Sequence, residues 1–174
     1  DRERLADLAH RSGLPVVVQG MGYRPGQREK WDDQTRFLAA ARERGAAIYS
    51  MLRTQPFMRP FNWRRGTSLF DGVVHWRDLS ELAVAERVGR LRDPGIREKL
   101  RWGLDNPNTD STKGSTLPMP AMNRVFVDRS QAHPEAVGKS LAELAAARGV
   151  HVADVFCELS LADELETQFL WNSE

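Results

Sequence analysis

At 174 residues, 41% hydrophobic and 28% charged, the chain can bury a core and has the composition of an ordinary globular protein. Its 25 basic and 24 acidic side chains leave a formal net charge of +1, so no overall field draws it toward nucleic acid or an anionic bilayer. No apolar run approaches the ~20 residues of a membrane span, no signal-peptide pattern is present, and the single cysteine, Cys157, allows no internal disulfide. These features lead us to expect a cytoplasmic protein that binds neither nucleic acid nor membrane.

The pattern is already helical at Asp1, with Leu5, Leu8 and Ala9 on one stripe and Arg and Asp opposite. Gly13 stops this helix, and 15–19 reads as a strand. The glycine-bearing stretch 20–26 is a loop; it lacks the Lys-Ser/Thr ending and the spacing of a phosphate loop. A second helix over 31–44 stops at Gly45, and 46–52 reads as a second strand. Helix, glycine, short apolar strand, twice in succession, predicts neighbouring parallel strands buried on both faces.

Beyond Pro56 the texture changes. Residues 57–63 mix aromatics, Pro and Arg without a period and read as packed but irregular, followed by short helical turns near 68–70 and 73–76. One helix is predicted over 80–91, and another opens at Asp93-Pro94, with Asp as cap and Pro in the first turn, and ends near Trp102. Residues 106–120 form a polar loop, 124–128 a third strand. Ser140 and Glu143 make a capping box for a helix ending at Gly149. A helix over 152–165 and a last strand over 167–171 complete the reading. The expected organisation is two helix–strand units in 1–56, a mainly helical and irregular insertion in 57–123, and a strand, two helices and a final strand in 124–174. Because the chain begins inside a helical pattern and ends just after an apolar run, we expect it to be a piece of one larger domain.

Few residues suggest chemistry. The helix pair around Gly149 has the outline of a helix-turn-helix, but its second helix carries Asp154, Glu158, Asp163 and Glu164, which repel phosphate; a structural αα corner is expected instead. His10, His75, His133 and His151 lack zinc-site spacing and read as surface or capping residues. Cys157 reads as a small core residue and not a nucleophile, and Arg92 and Arg97 as surface helix residues. Gln19 at the end of the first strand, and Gln55 after the second, would face one mouth of a parallel sheet together with Tyr23 and Arg53. There they could orient a substrate, Arg53 by forking onto a carboxylate. The same amides would equally serve loop backbone groups.

The series Gly13-Leu14-Pro15-Val16 with Gln19, Trp31, Gly45, Gln55-Pro56, Trp76-Arg77-Asp78-Leu79, Glu86-Arg87, Leu91-Arg92-Asp93-Pro94 and Arg97 resembles one family in order and spacing. It continues through Gly138-Lys139-Ser140-Leu141-Ala142-Glu143-Leu144-Ala145, Arg148-Gly149, Ala153-Asp154 and Leu159. The family is the N-acyl-D-amino-acid deacylase (D-aminoacylase) group of the amidohydrolases. The resemblance implies a segment of a (β/α)₈ barrel with a mainly helical insertion, from an enzyme that hydrolyses a non-peptide C–N amide bond of an N-acylated amino acid with zinc-activated water. It also implies that the metal-binding strands lie upstream and the catalytic aspartate downstream, so this chain holds no catalytic residue or metal and is silent alone. The chain departs from the family at Gln19-Gly20-Met21-Gly22, where well-studied members carry a metal-ligand histidine. The competing expectation is a non-catalytic α/β interaction module, and both readings allow self-association through unpaired strand edges.

Overall fold

The computed structural model describes residues 2–21, 26, 28–52, 57–107 and 119–172. It is a mixed α/β protein of two compact units, 1–57 and 58–173.

The first unit is α1 (Arg2–Ser12), β1 (Val16–Met21), α2 (Arg28–Glu43) and β2 (Ile48–Leu52). Both helices end as expected. Gly13 takes φ 68° and donates its N–H to Ala9 O, and Gly45 takes φ 84° and donates to Arg42 O. That left-handed turn lets the chain leave the helix and enter the strand without a Cβ clash. β1 and β2 are parallel neighbours joined through α2, with Val16 opposite Ile48, Val17 opposite Tyr49 and Val18 opposite Ser50. The register shifts once before Met21 meets Leu52.

The core of this unit lies on one face of the sheet. Ala6, Ala9, Ala41, Ala46 and Ile48 are buried, with Val16, Val18, Phe37 and Leu38 packed against them. Small alanines on the helices let the backbones approach the sheet, and the pairs Arg2–Asp33 (2.7 Å) and Arg44–Glu3 (3.0 Å) tie the helical layer together. The opposite face departs from expectation. Val17 is 59% exposed, Tyr49 46% and Met51 57%. Among the described residues the cover lies on one face, because α1 and α2 both pack on the Val16–Val18–Ile48 side.

The second unit is built on an antiparallel sheet in the order β3 (Met58–Phe61), β5 (Gln168–Asn172), β4 (Val125–Arg129). Phe61 and Val127 flank Phe169, and Arg59 and Val125 flank Trp171. Period-two alternation turns Phe61, Val125, Val127, Phe169 and Trp171 inward. Residues 57–63, read as irregular, thus contain a strand. Pro60 hides the period, and it is tolerated because β3 is an edge strand.

Phe61, Trp63, Phe70, Trp76, Phe156 and Phe169 form one aromatic core, with Phe156 and Phe169 centroids 4.5 Å apart and Phe70 and Trp76 4.8 Å. Around it lie α3 (Trp76–Glu81), α4 (Val84–Arg92), α5 (Pro94–Asp105), α6 (Leu141–Arg148) and α7 (Val152–Ala162). The caps form as expected. Asp93 accepts from Gly95 and Ile96 N–H at 2.8 and 3.1 Å, Ser140 and Glu143 close a capping box, and Gly149 ends α6 at φ 64°. α6 and α7 make the expected corner.

The helix predicted over 80–91 is two helices, α3 and α4, and the cause is Arg87. The residue is only 4% exposed. Nε donates to Leu79 O, and Nη2 donates to Ser80 O and Leu82 O, each at 2.8 Å. In an unbroken helix the Leu79, Ser80 and Leu82 carbonyls would accept from backbone N–H groups four residues on. Here a side chain takes that place, and Leu82 turns to extended backbone with ψ 153°. Nη1 binds Trp63 O and Arg64 O, so all of its bonds go to carbonyls.

Candidate functional site

Parallel pairing has one functional consequence: both strands deliver their C-terminal ends to the same edge. Met21 and Leu52 are Cα partners there, so β1 and β2 end side by side at the edge where α/β sheets gather their chemistry. Of the four residues expected at this mouth, Gln19 lies within β1, and its side chain is outside the described set. Tyr23, Arg53 and Gln55 fall outside the described residues altogether. The described part of the mouth is therefore the paired strand ends and the exposed apolar face of Val17, Tyr49 and Met51 beside them.

Several titratable groups elsewhere among the described residues serve structure. His151 caps α7: Nδ1 accepts from Ala153 N–H at 3.0 Å, which leaves the proton on Nε2 to face Asp105 at 3.2 Å. His133 Nδ1 meets Glu135 at 3.0 Å, His10 is exposed beside Gly45, and His75 is an α3 cap at φ 70° with its ring near Trp102. Cys157 is fully buried between charged helix neighbours, and burial pushes its thiol up to about 12, so no thiolate forms near neutrality. Arg97 differs from expectation: its side chain is only 22% exposed, and Nε donates to Leu91 O at 2.8 Å.

Among the described residues Asp163 is the most connected carboxylate. It accepts from Ser130 Oγ at 2.6 Å, Thr167 Oγ1 at 2.7 Å, and Ala132 and Gln131 N–H at 2.7 and 3.2 Å. Burial alone would raise its pKa; the four donors outweigh burial and hold it below the usual carboxylate value. Three of the four donors converge on Oδ2 and one reaches Oδ1, so Asp163 pins the turn after β4 to the end of α7.

Among the described residues no group of three or more His, Cys, Asp or Glu side chains is arranged to hold a metal ion. The zinc implied by the resemblance therefore does not fit the described residues. Among those residues, too, no helix is long and apolar enough to cross a membrane.

A cavity that the sequence did not mark opens in the second unit, lined by Arg59, Arg65, Thr67, Ser68 and Arg77.

No protein-family model matches the chain. No curated protein matches it either. Among solved structures it is similar to N-acyl-D-glutamate deacylase from Bordetella bronchiseptica, a crystal structure holding zinc and a phosphonate inhibitor that mimics the tetrahedral intermediate. The likeness is 14% in identity with a TM-score of 0.37, and it covers 98% of this chain and 24% of the deacylase chain. The chain thus spans about a quarter of that enzyme's length.

Proposed function

We propose that this chain is a segment of a metal-dependent amidohydrolase acting on N-acylated amino acids, of the kind its motif series resembles, and that it is silent by itself. The observation that carries the reading is the parallel β1–β2 pair joined through α2, with Met21 and Leu52 side by side at its C-terminal edge. An antiparallel or separated pair would have ended it. The exposed face agrees: parallel sheets are ordinarily covered on both faces, and Val17, Tyr49 and Met51 supply the apolar surface that further strands of a barrel would cover. The described residues offer no metal cradle, so the reading assigns this chain substrate positioning and not the hydrolytic step. Gln19, Tyr23, Arg53 and Gln55 are the residues assigned to it, with Arg53 forking onto the substrate carboxylate.

The test is hydrolysis of N-acetyl-D-amino acids, with zinc supplied, by this polypeptide and by the uninterrupted reading frame that contains it. The frame is expected to be active and the polypeptide silent. An inactive frame sinks the deacylase reading; an active polypeptide sinks the assignment of the chemistry to residues elsewhere. In the active frame Arg53→Ala should raise KM, and an unchanged KM removes Arg53 from the site. The rival reading, a non-catalytic interaction module, draws on the same exposed face and is supported by an inactive frame.

A further inference from the structure

Between Glu43 and Asp71 the sequence contains no carboxylate, yet five arginines, Arg44, Arg53, Arg59, Arg64 and Arg65, fall in that interval. The fold brings two of them, Arg59 on β3 and Arg65 in the turn after it, to one cavity of about 450 Å³ together with Arg77 from the first turn of α3. Several arginines elsewhere have carboxylate partners: Arg2 with Asp33, Arg44 with Glu3, Arg64 with Glu166, Arg101 with Asp154. In this cavity they are differently placed. Among the described residues the Arg59 guanidinium makes one hydrogen bond, from Nη2 to Ser68 Oγ at 3.0 Å, and the Arg65 guanidinium makes none. Arg77 reaches Glu81 at 3.3 Å across an exposed i,i+4 pair, the loosest kind of ion pair. Behind the wall lies Arg87, a buried cation bonded only to carbonyls. The Cβ position of Gly66, in the cavity lining, is 3.9 Å from its Nη1.

We propose that this cavity binds the phosphate group of a small ligand. Asp71 and Glu81 also line it, but the three guanidiniums of Arg59, Arg65 and Arg77 outnumber the two carboxylates, and the lining is left with one positive charge in excess. A dianion matches the two guanidiniums that have no carboxylate partner, and the planar arginine fork fits phosphate oxygens. Two hydroxyls complete the donor set. Thr67 Oγ1 accepts from Leu69 N–H and Ser68 Oγ accepts from Arg59, so each keeps its own proton to donate. A carboxylate would satisfy one fork and leave the other cation bare. The cavity exceeds a single phosphate, which leaves room for the organic part of a phosphomonoester. The proposal does not depend on the amidohydrolase reading.

The experiment is calorimetric titration of the chain with inorganic phosphate, phenyl phosphate and acetate at constant ionic strength set with sodium chloride, repeated on Arg65→Gln and Arg59→Gln/Arg65→Gln. One-to-one saturable binding of phosphate or phenyl phosphate is expected, the tighter of the two distinguishing free phosphate from a monoester. Acetate should bind at least about tenfold more weakly. Arg65→Gln loses no internal bond, so it should weaken phosphate binding about tenfold with an unchanged melting temperature in phosphate-free buffer. Binding that only tracks ionic strength, acetate as tight as phosphate, or unaltered affinity in both variants overturns the proposal.

Discussion

Arg101 holds Asp154 in a two-pronged fork, Nε to Oδ2 at 2.8 Å and Nη2 to Oδ1 at 2.9 Å, and so ties α5 to α7. The two ends of the fork differ in exposure: the arginine side chain is 46% exposed and the aspartate 9%. Removing the arginine leaves a nearly buried carboxylate without its cation. Arg101→Ala is expected to cost roughly 1–3 kcal/mol, below the range for a fully buried pair because water reaches the arginine side. Asp154→Asn should cost less, since it leaves a neutral amide facing an arginine that can turn to solvent. Urea unfolding of both variants checks the order, and an Asp154→Asn variant less stable than Arg101→Ala would refute it.

The two buried tryptophans of the aromatic core make a matched pair for a second prediction. Trp76 Nε1 donates to Leu100 O at 2.9 Å, whereas Trp63 Nε1 is buried with no partner among the described residues. Replacing either by Phe removes the same volume. Trp76→Phe also loses a hydrogen bond worth about 1 kcal/mol, while Trp63→Phe relieves an unpaired donor. Thermal or urea denaturation should therefore find Trp63→Phe the more stable variant by at least about 1 kcal/mol.

Gly103 tests packing against propensity. Alanine in mid-helix should stabilise α5 by about 1 kcal/mol relative to glycine. A Cβ at Gly103, however, would overlap the Val74 carbonyl oxygen and crowd Trp76 Cδ1 at 3.3 Å. Backbone cannot step aside as a flexible side chain can, so Gly103→Ala is expected to destabilise the chain by about 1–3 kcal/mol. A rise in melting temperature would show that the approach of α5 to this loop is looser than described.

Much of this structure was legible locally, and what was not depends on distant residues. Gly13 and Gly45 stop their helices, Asp93 and Ser140 cap theirs, and the valine run of β1 pairs with β2 as its spacing implied, because each of these depends on a few neighbouring residues. β3 was not legible, since its partner Phe169 stands more than a hundred residues from Phe61 and only the pairing reveals the period. Nor was the break after α3, which an arginine six residues beyond the helix enforces through three carbonyls. A hydrophobic run announces a strand but not how many layers will cover it, so the bare face of Val17, Tyr49 and Met51 went unforeseen. Of the expected mouth, the pairing of the strand ends is seen, while Tyr23, Arg53 and Gln55 stay outside the described residues.

Asp163 makes stability depend on acid. Its pKa in the folded chain lies below the ordinary carboxylate value: burial raises it, and the bonds from Ser130, Thr167, Ala132 and Gln131 more than compensate. A depressed carboxylate contributes stability that is present above the unfolded-state pKa, about 4, and is lost as pH falls through the folded-state value. The chain should therefore lose part of its stability below about pH 4, and Asp163→Asn should flatten that part of the curve while lowering stability at pH 7. Melting temperatures of both proteins from pH 7 to pH 3 decide it; parallel curves would mean that Asp163 contributes no proton linkage.

The exposed sheet face separates the isolated chain from the proposed intact enzyme. Val17 is 59% exposed here, opposite Tyr49 at 46%. A lysine at this position keeps its ammonium in water, so Val17→Lys should change the stability of this chain by no more than about 0.5 kcal/mol. Within a barrel the same position would be covered by neighbouring strands, and an unpaired buried ammonium costs several kcal/mol. The substitution should therefore be nearly neutral in the polypeptide and should abolish soluble, active protein when placed in the uninterrupted reading frame. If it is equally mild in both, the face is bare in the larger protein as well, and the barrel reading loses its structural support.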